Sequence, residues 1–82
     1  MATPRRSSPA LDAPMPEIAR IGAEFARRRI LLRLTQQTLA DLAGVSRSSV
    51  QALEYGSGSV RFATVMRVAD VLGLTLETTG GK

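Results

Sequence analysis

Residues 35–56, TQQTLADLAGVSRSSVQALEYG, contain two short amphipathic segments joined at one glycine. Thr35 and Ser46 stand directly before the two segments, where a side-chain oxygen can cap the first turn of a helix. A glycine after each segment suits the left-handed residue that often follows a helix. These signals predict one helix over residues 36–43 and a second over residues 47–55.

Two helices joined by so short a turn form a helix-turn-helix. Apolar residues at positions 18, 21, 25 and 32 fall on one stripe and predict a preceding helix over residues 17–34. A fourth helix is predicted over residues 62–72. The predicted fold class is therefore all-α. The side chains expected to face the core are Ile18, Ile21, Phe25, Leu32, Leu39, Leu42, Ala43, Val50, Leu53, Phe62, Val65, Met66, Ala69 and Leu72.

The composition excludes several classes of function. The 82 residues include no cysteine and no histidine, which removes disulfides, the usual zinc sites and catalysis by a thiol or an imidazole. The acidic residues of the helical part are scattered, so no paired-carboxylate motif supports an enzyme. No apolar run is long enough for a signal peptide or a membrane span. We expect a cytoplasmic protein that is not an enzyme and uses no metal or cofactor.

The second helix of the pair has a polar outward face. With Ser46, Val50 and Leu53 turned inward, the outward residues are Arg47, on the flank, and Ser48, Gln51, Ala52 and Tyr55. Small hydroxyls, an amide for adenine and an arginine for guanine suit the major groove of DNA. The net charge of +4 favours an anionic partner, and both helix N-termini can offer free N–H groups to phosphates. The alternative is that Ser46 only caps the helix, that Ser48 and Ser49 are ordinary first-turn residues and that Arg47 is solvated.

Residues 74–79, LTLETT, change from a helical period to an alternating one, and threonine favours extended chain. One strand leaves its backbone groups unpaired, and the rest of the sequence offers no second strand. We therefore predict pairing with the same segment of a second copy in a homodimer. The strand residues are Thr75, Leu76, Glu77 and Thr78. A frayed tail is the alternative.

The chain outside these elements is divided as follows. All four prolines lie in residues 1–16, which lack apolar periodicity and predict a flexible N-terminal arm. In it, Arg5 and Arg6 either contact DNA or are solvated. The helix-turn-helix domain is predicted over residues 17–73, the dimerisation strand over 74–79 and a tail over 80–82.

The run LTQQTLADLAGVSRSSVQALEYG resembles the Xre, or Cro/C1-type, helix-turn-helix family, whose pattern is L-T-Q-x-x-L-A-x-x-A-G-V-S before a recognition helix ending in E-x-G. The resemblance covers roughly residues 21–76. It implies a lambda-repressor-like fold of four or five helices and a sequence-specific repressor of a pseudo-palindromic double-stranded operator. Because LGLTLET follows the fourth helix, the chain looks most like the HipB-type antitoxins, which implies autoregulation and a HipA-like kinase toxin as partner. The alternatives are an Xre-type repressor with no toxin partner and a helical protein-interaction module that does not bind DNA.

The resemblance also implies roles for single residues. Base-reading positions fall on Ser46, Arg47, Ser48, Gln51 and Ala52, and phosphate-contacting positions fall on Thr35, Gln36, Thr38 and Arg61. An arginine late in the first helix commonly pairs with the glutamate that ends the recognition helix, which implies an ion pair of Arg29 with Glu54. This pair would account for the interruption of the apolar stripe at Arg28 and Arg29. Since Arg61 stands where the family often has a serine or threonine cap, we expect the cap to shift to Ser59.

Overall fold

A computed structural model of the chain describes residues 14–80. It has four helices: α1 (Pro16–Leu31), α2 (Gln36–Ala43), α3 (Arg47–Tyr55) and α4 (Phe62–Leu72). Helices α2 and α3 form the predicted helix-turn-helix, α1 packs mainly against α3, and α4 packs mainly against α2. The predicted all-α class is therefore confirmed. None of the helices in residues 14–80 is long and apolar enough to cross a membrane.

The sequence predictions for the two chain ends fall largely outside this part of the chain. Arg5, Arg6 and all but the last three residues of the predicted arm over residues 1–16 lie outside the described residues, as do the last two residues of the predicted tail over 80–82. Helix α1 begins at Pro16, in the first-turn position where the missing N–H of proline costs nothing. Just before it, the N–H of Met15 donates to the carbonyl oxygen of Gly56 at 3.2 Å. The chain that enters α1 is thus bound to the turn after α3.

Helices α2 and α3 have their predicted bounds because local residues specify both ends. The hydroxyl oxygen of Thr35 accepts from the N–H of Thr38 at 2.9 Å, and that of Ser46 accepts from the N–H of Ser49 at 3.1 Å. Between the helices, Gly44 adopts the left-handed conformation with φ of 71°, which a residue without Cβ reaches at no steric cost. The sharp turn at Gly44 therefore sets the path from α2 into α3.

Helix α1 is shorter than predicted and ends at Leu31 instead of Leu34. Arg33 has φ of 62° and is the one non-glycine residue with positive φ among residues 14–80. Its N–H donates to the carbonyl oxygen of Ile30 at 2.9 Å, and the N–H of Leu34 donates to that of Arg29 at 3.0 Å. This pair of bonds is the Schellman motif that ends many helices. The apolar pattern predicted a later end of the helix because the sequence has no glycine at this position to indicate it.

The core is small and lies between the four helices. Its buried side chains are Phe25, Leu39, Ala40, Val50, Leu53, Val68, Ala69 and Leu72. Several predicted core residues are instead exposed, namely Ile21, Leu32, Leu42, Phe62 and Met66. The reason is that each helix is covered over a narrower face than its apolar stripe. Helix α4, for example, buries Val68 and Ala69 near its C-terminal end and leaves Phe62 and Ala63 exposed at its start.

Residues 74–80 form no strand in the described chain, since no ladder of backbone hydrogen bonds joins them to another segment of it. Leu74 and Leu76 are half-buried against the core, whereas Thr75 and Glu77 are exposed. The predicted alternation is therefore present over these four residues. Thr78, which the alternation places on the same face as Leu74 and Leu76, is exposed.

Candidate nucleic-acid interface

The polar face of α3 is accessible in the described chain. Arg47, Ser48, Gln51 and Tyr55 are exposed and Ala52 is half-buried, while Val50 and Leu53 are buried beneath them. This division follows from the helical period, because the two buried residues lie three positions apart on one side. The side chains expected to meet base edges therefore point away from the core.

Ser46 was expected to turn inward with Val50 and Leu53, but it is exposed at the start of α3, and its hydroxyl is hydrogen-bonded within the protein. Besides accepting from the N–H of Ser49, its oxygen lies 2.8 Å from Ser49 Oγ and 3.1 Å from Ser48 Oγ. A hydroxyl has one donor and two acceptor sites, so three such contacts use its full capacity. Ser46 acts here as the N-cap of α3, and base reading would rest on the residues that follow it.

Two clefts flank the start of α3. The first, the α3–α4 cleft, has a volume of about 520 Å³ and lies between α3 and the start of α4. The second, the α2–α3 cleft, has a volume of about 400 Å³ and lies beside the starts of α2 and α3. The start of the recognition helix thus forms a ridge between two concave surfaces.

The predicted DNA-contacting residues divide between these clefts. The α3–α4 cleft is lined in part by Ser46, Ser48, Ala52 and Arg61. The α2–α3 cleft is lined in part by Thr35, Gln36 and Arg47. Thr38 and Gln51 line neither cleft and are exposed. The structure therefore brings seven of the nine predicted positions to the two walls of one ridge.

Both clefts are positively charged. No aspartate or glutamate lines either of them. Among residues 14–80, ion pairs join Arg27 to Glu24 and Arg29 to Glu54, so three arginines at the cleft walls have no carboxylate partner: Arg47, Arg61 and Arg67. Unpaired cations around a concave surface raise the local concentration of anions.

Arg29 and Glu54 form the ion pair that the family resemblance implies. Arg29 Nε donates to Glu54 Oε2 at 2.7 Å and Arg29 Nη2 to Glu54 Oε1 at 3.1 Å, which is a bidentate geometry. Arg29 Nη1 also donates to the carbonyl oxygen of Leu34 at 2.8 Å. The two side chains are only 14% and 10% exposed. The pair joins the end of α1 to the end of α3 and so fixes the orientation of the recognition helix.

Gln36 belongs to the same network. Its Nε2 donates to Glu54 Oε1 at 2.9 Å, which ties the start of α2 to the end of α3. This bond uses one amide hydrogen, so a phosphate contact would use the second hydrogen or the backbone N–H. The first-turn N–H groups of a helix lack acceptors within the helix.

Arg28, the second residue that interrupts the apolar stripe, has a different partner. Its Nε donates to the carbonyl oxygen of Leu72 at 2.9 Å. This carbonyl is among the last four of α4, which accept no hydrogen bond from an N–H group of the same helix. A guanidinium there also suits the negative end of the helix dipole. Both arginines of the stripe are therefore structural.

The start of α4 lacks a side-chain cap. Arg61 is its N-cap residue and makes no capping bond. The expected shift of the cap to Ser59 is wrong, because Ser59 Oγ lies 2.7 Å from Ser57 Oγ and turns within the loop. The N–H groups of the first turn of α4 are consequently not satisfied by a capping side chain.

Sequence reasoning missed the two residues by which α4 itself lines the α3–α4 cleft, Thr64 and Arg67. Arg61, Thr64 and Arg67 follow one another at intervals of three positions. This spacing places side chains on one side of a helix. That spacing was visible in the sequence. The sequence did not show that α3 lies opposite these side chains, and only the packing of α3 against α4 forms the cleft.

An exposed polar recognition helix between two basic clefts defines a helix-turn-helix DNA-binding regulator. Comparison with known families agrees, because the helix-turn-helix model HTH_3 matches residues 25–78, more than half of the chain. The chain belongs to the Xre (Cro/C1-type) helix-turn-helix family. It is a DNA-binding transcription regulator and not an enzyme.

A similar fold is found in a solved structure. The chain is similar to the restriction-modification controller protein C.AhdI from Aeromonas hydrophila, with 28% sequence identity and a TM-score of 0.67. The similarity covers 74% of this chain and 92% of that chain. No curated protein sequence matches this chain significantly.

Proposed function

We propose that the protein is a homodimeric transcriptional repressor that reads a pseudo-palindromic double-stranded operator with α3. The observation that carries this proposal is the position of α3 between two basic clefts. The major groove of B-DNA, about 12 Å wide, admits one α-helix. The backbones of both strands then run on either side of that helix, where the two clefts would receive them.

The proposed contacts follow from this placement. Arg47, Ser48, Gln51 and Ala52 meet base edges, since they lie on the accessible side of α3. Thr35, Gln36, Thr38 and Arg61 contact phosphates from the flanks. Ser46 contributes by holding the first turn of α3 in place and, through it, Ser48.

The proposed dimer uses an apolar groove of about 240 Å³ between the start of α4 and α1. Phe62, which is 73% exposed, lines it together with Ile21, and Leu76 brings the C-terminal segment to the same groove. A second copy would cover these side chains. It would also supply strand partners for Thr75, Leu76, Glu77 and Thr78, whose backbone N–H groups have no acceptor in the described chain.

In the proposed dimer the two recognition helices would enter successive major grooves about 34 Å apart. Repression would follow because the bound dimer covers the promoter. Selection of random DNA fragments by the purified protein, followed by gel-shift titration at several salt concentrations, tests this directly. An enriched two-fold symmetric site with salt-sensitive affinity is expected. Absence of a salt-sensitive shift with any selected fragment would favour the helical interaction module instead.

We also propose that the protein is an autoregulating antitoxin with a HipA-like kinase as its partner. Support comes from the LGLTLET segment after α4 and from a second apolar surface, formed by Ile30, Leu31 and Leu32, that lines neither basic cleft. The rival, a repressor without a toxin, is favoured by the similarity to a restriction-modification controller. A kinase-like neighbouring gene whose product co-purifies with this chain supports the antitoxin. Neighbouring endonuclease and methyltransferase genes contradict it.

A further inference from the structure

The α3–α4 cleft contains one arginine, Arg67, that is not among the predicted DNA contacts. Arg61 and Arg67 both line it, and Thr64 lies between them on the same side of α4. Both arginines are exposed and neither pairs with a carboxylate within residues 14–80. Arg67 lies in the second turn of α4 and lines the same cleft as Gly44 and Val45 of the turn that joins α2 to α3.

The backbone adds to this charge. The cleft is bordered by the first turn of α3 and by the first turn of α4, which has no side-chain cap. Helix N-termini carry partial positive charge and free N–H groups. Two helix N-termini and two arginines therefore surround one open cleft that has no carboxylate in its lining. The arrangement suits a chain of phosphates.

Resting on the proposed function, we infer that Arg67 is a second phosphate-contacting residue of the α3–α4 cleft. Its guanidinium binds a phosphodiester of the same DNA strand that Arg61 contacts. Arg67 makes this contact from the second turn of α4, further along the chain than Arg61. The same cleft chemistry would accept free phosphate, but a DNA backbone brings several phosphates to both arginines at once. Thr64 offers a hydroxyl donor between them.

The test measures binding to the selected operator over a range of salt concentrations. The variants are Arg67→Gln and, as the matched control, Arg20→Gln, which removes the same charge from an exposed position of α1 that lines neither cleft. Each phosphate contact contributes about 0.9 to the slope of log K against log salt. The proposed dimer carries two copies of Arg67, so we expect Arg67→Gln to lower that slope by about 1.8, which is about 0.9 per protomer. Binding at low salt should weaken about 10- to 100-fold, with Arg20→Gln near the wild type. Circular dichroism melts check that both variants fold.

A second arm locates the contact. Single methylphosphonate substitutions, which remove the charge of one phosphate, are scanned along the operator. One position in each half-site should weaken the wild type but leave Arg67→Gln unaffected, which a free phosphate ion cannot produce. If Arg67→Gln keeps the wild-type slope and sensitivity, Arg67 does not contact phosphate and the inference is overturned. If the wild type itself shows no salt-sensitive binding to any selected DNA, the proposed function fails with it.

Discussion

Helix α1 meets α3 so closely at Gly22 that a Cβ atom there would overlap the carbonyl oxygen of Leu53 and lie 2.9 Å from the carbonyl oxygen of Glu54. The contact is between backbones, which cannot move aside as a flexible side chain can. Gly22 therefore lets α1 support the last turn of the recognition helix directly. The same turn carries Glu54, whose carboxylate holds Arg29 and Gln36.

Replacing Gly22 with alanine should destabilise the protein because α1 must move away from α3. Overpacking of this kind costs about 1–3 kcal/mol. Chemical denaturation measures the loss. The control is Gly80→Ala, since a Cβ at Gly80 would meet nothing within 4 Å. Equal stability of the two variants would show that the close approach at Gly22 is not maintained in solution.

Glu54→Gln should leave Arg29 without its charged partner in a half-buried position. We expect a loss of about 2–4 kcal/mol in unfolding free energy, since removing one member of a buried pair strands the other charge. Glu24→Gln breaks an exposed pair with Arg27 and should change stability by less than about 1 kcal/mol. The prediction fails if the two variants unfold at the same denaturant concentration.

Arg33→Gly should stabilise the protein, because the left-handed conformation of Arg33 is unfavourable for a residue with a Cβ atom. The expected gain is about 1 kcal/mol. Arg33→Ala removes the same charge but keeps the Cβ, and so should bring no comparable gain. Thermal melts of the two variants decide the matter. A similar shift in both would assign the effect to charge.

Phe62→Glu should weaken self-association while leaving the fold intact, because the side chain is 73% exposed. In the proposed dimer it lies against the second copy, where an unpaired carboxylate is costly. Leu42→Glu, at another exposed apolar position, serves as the control. Sedimentation velocity should show a larger monomer fraction for Phe62→Glu only. An unchanged dimer would exclude the groove as the interface.

The elements that sequence reasoning placed correctly are those whose ends are set by adjacent residues. Thr35, Ser46 and Gly44 specify their own caps and turn through bonds to residues at most five positions away. The end of α1 was missed because Arg33 adopts a conformation that glycine normally marks. Adjacent residues were therefore sufficient to predict the ends of α2 and α3, but they gave the wrong end for α1.

Burial and the composition of the clefts depend on packing between distant residues, so the sequence predicted them less well. Phe62 has the spacing of a core residue and yet is exposed, because no element of the described chain covers the first residues of α4. Arg67 has the appearance of an ordinary surface residue until α3 is placed opposite it. Arg29 and Glu54 were paired through the family resemblance, across 25 positions of sequence.

The central claim, that the exposed face of α3 reads bases, is tested most directly by Arg47→Ala. Affinity for the selected operator and for random DNA should be measured side by side with the wild type. The account predicts a loss of about 1–3 kcal/mol for each half-site of the operator, with relaxed preference at one base pair of the half-site and a much smaller loss on random DNA. An equal loss on both would mean that Arg47 contacts only the backbone, which would contradict the claim.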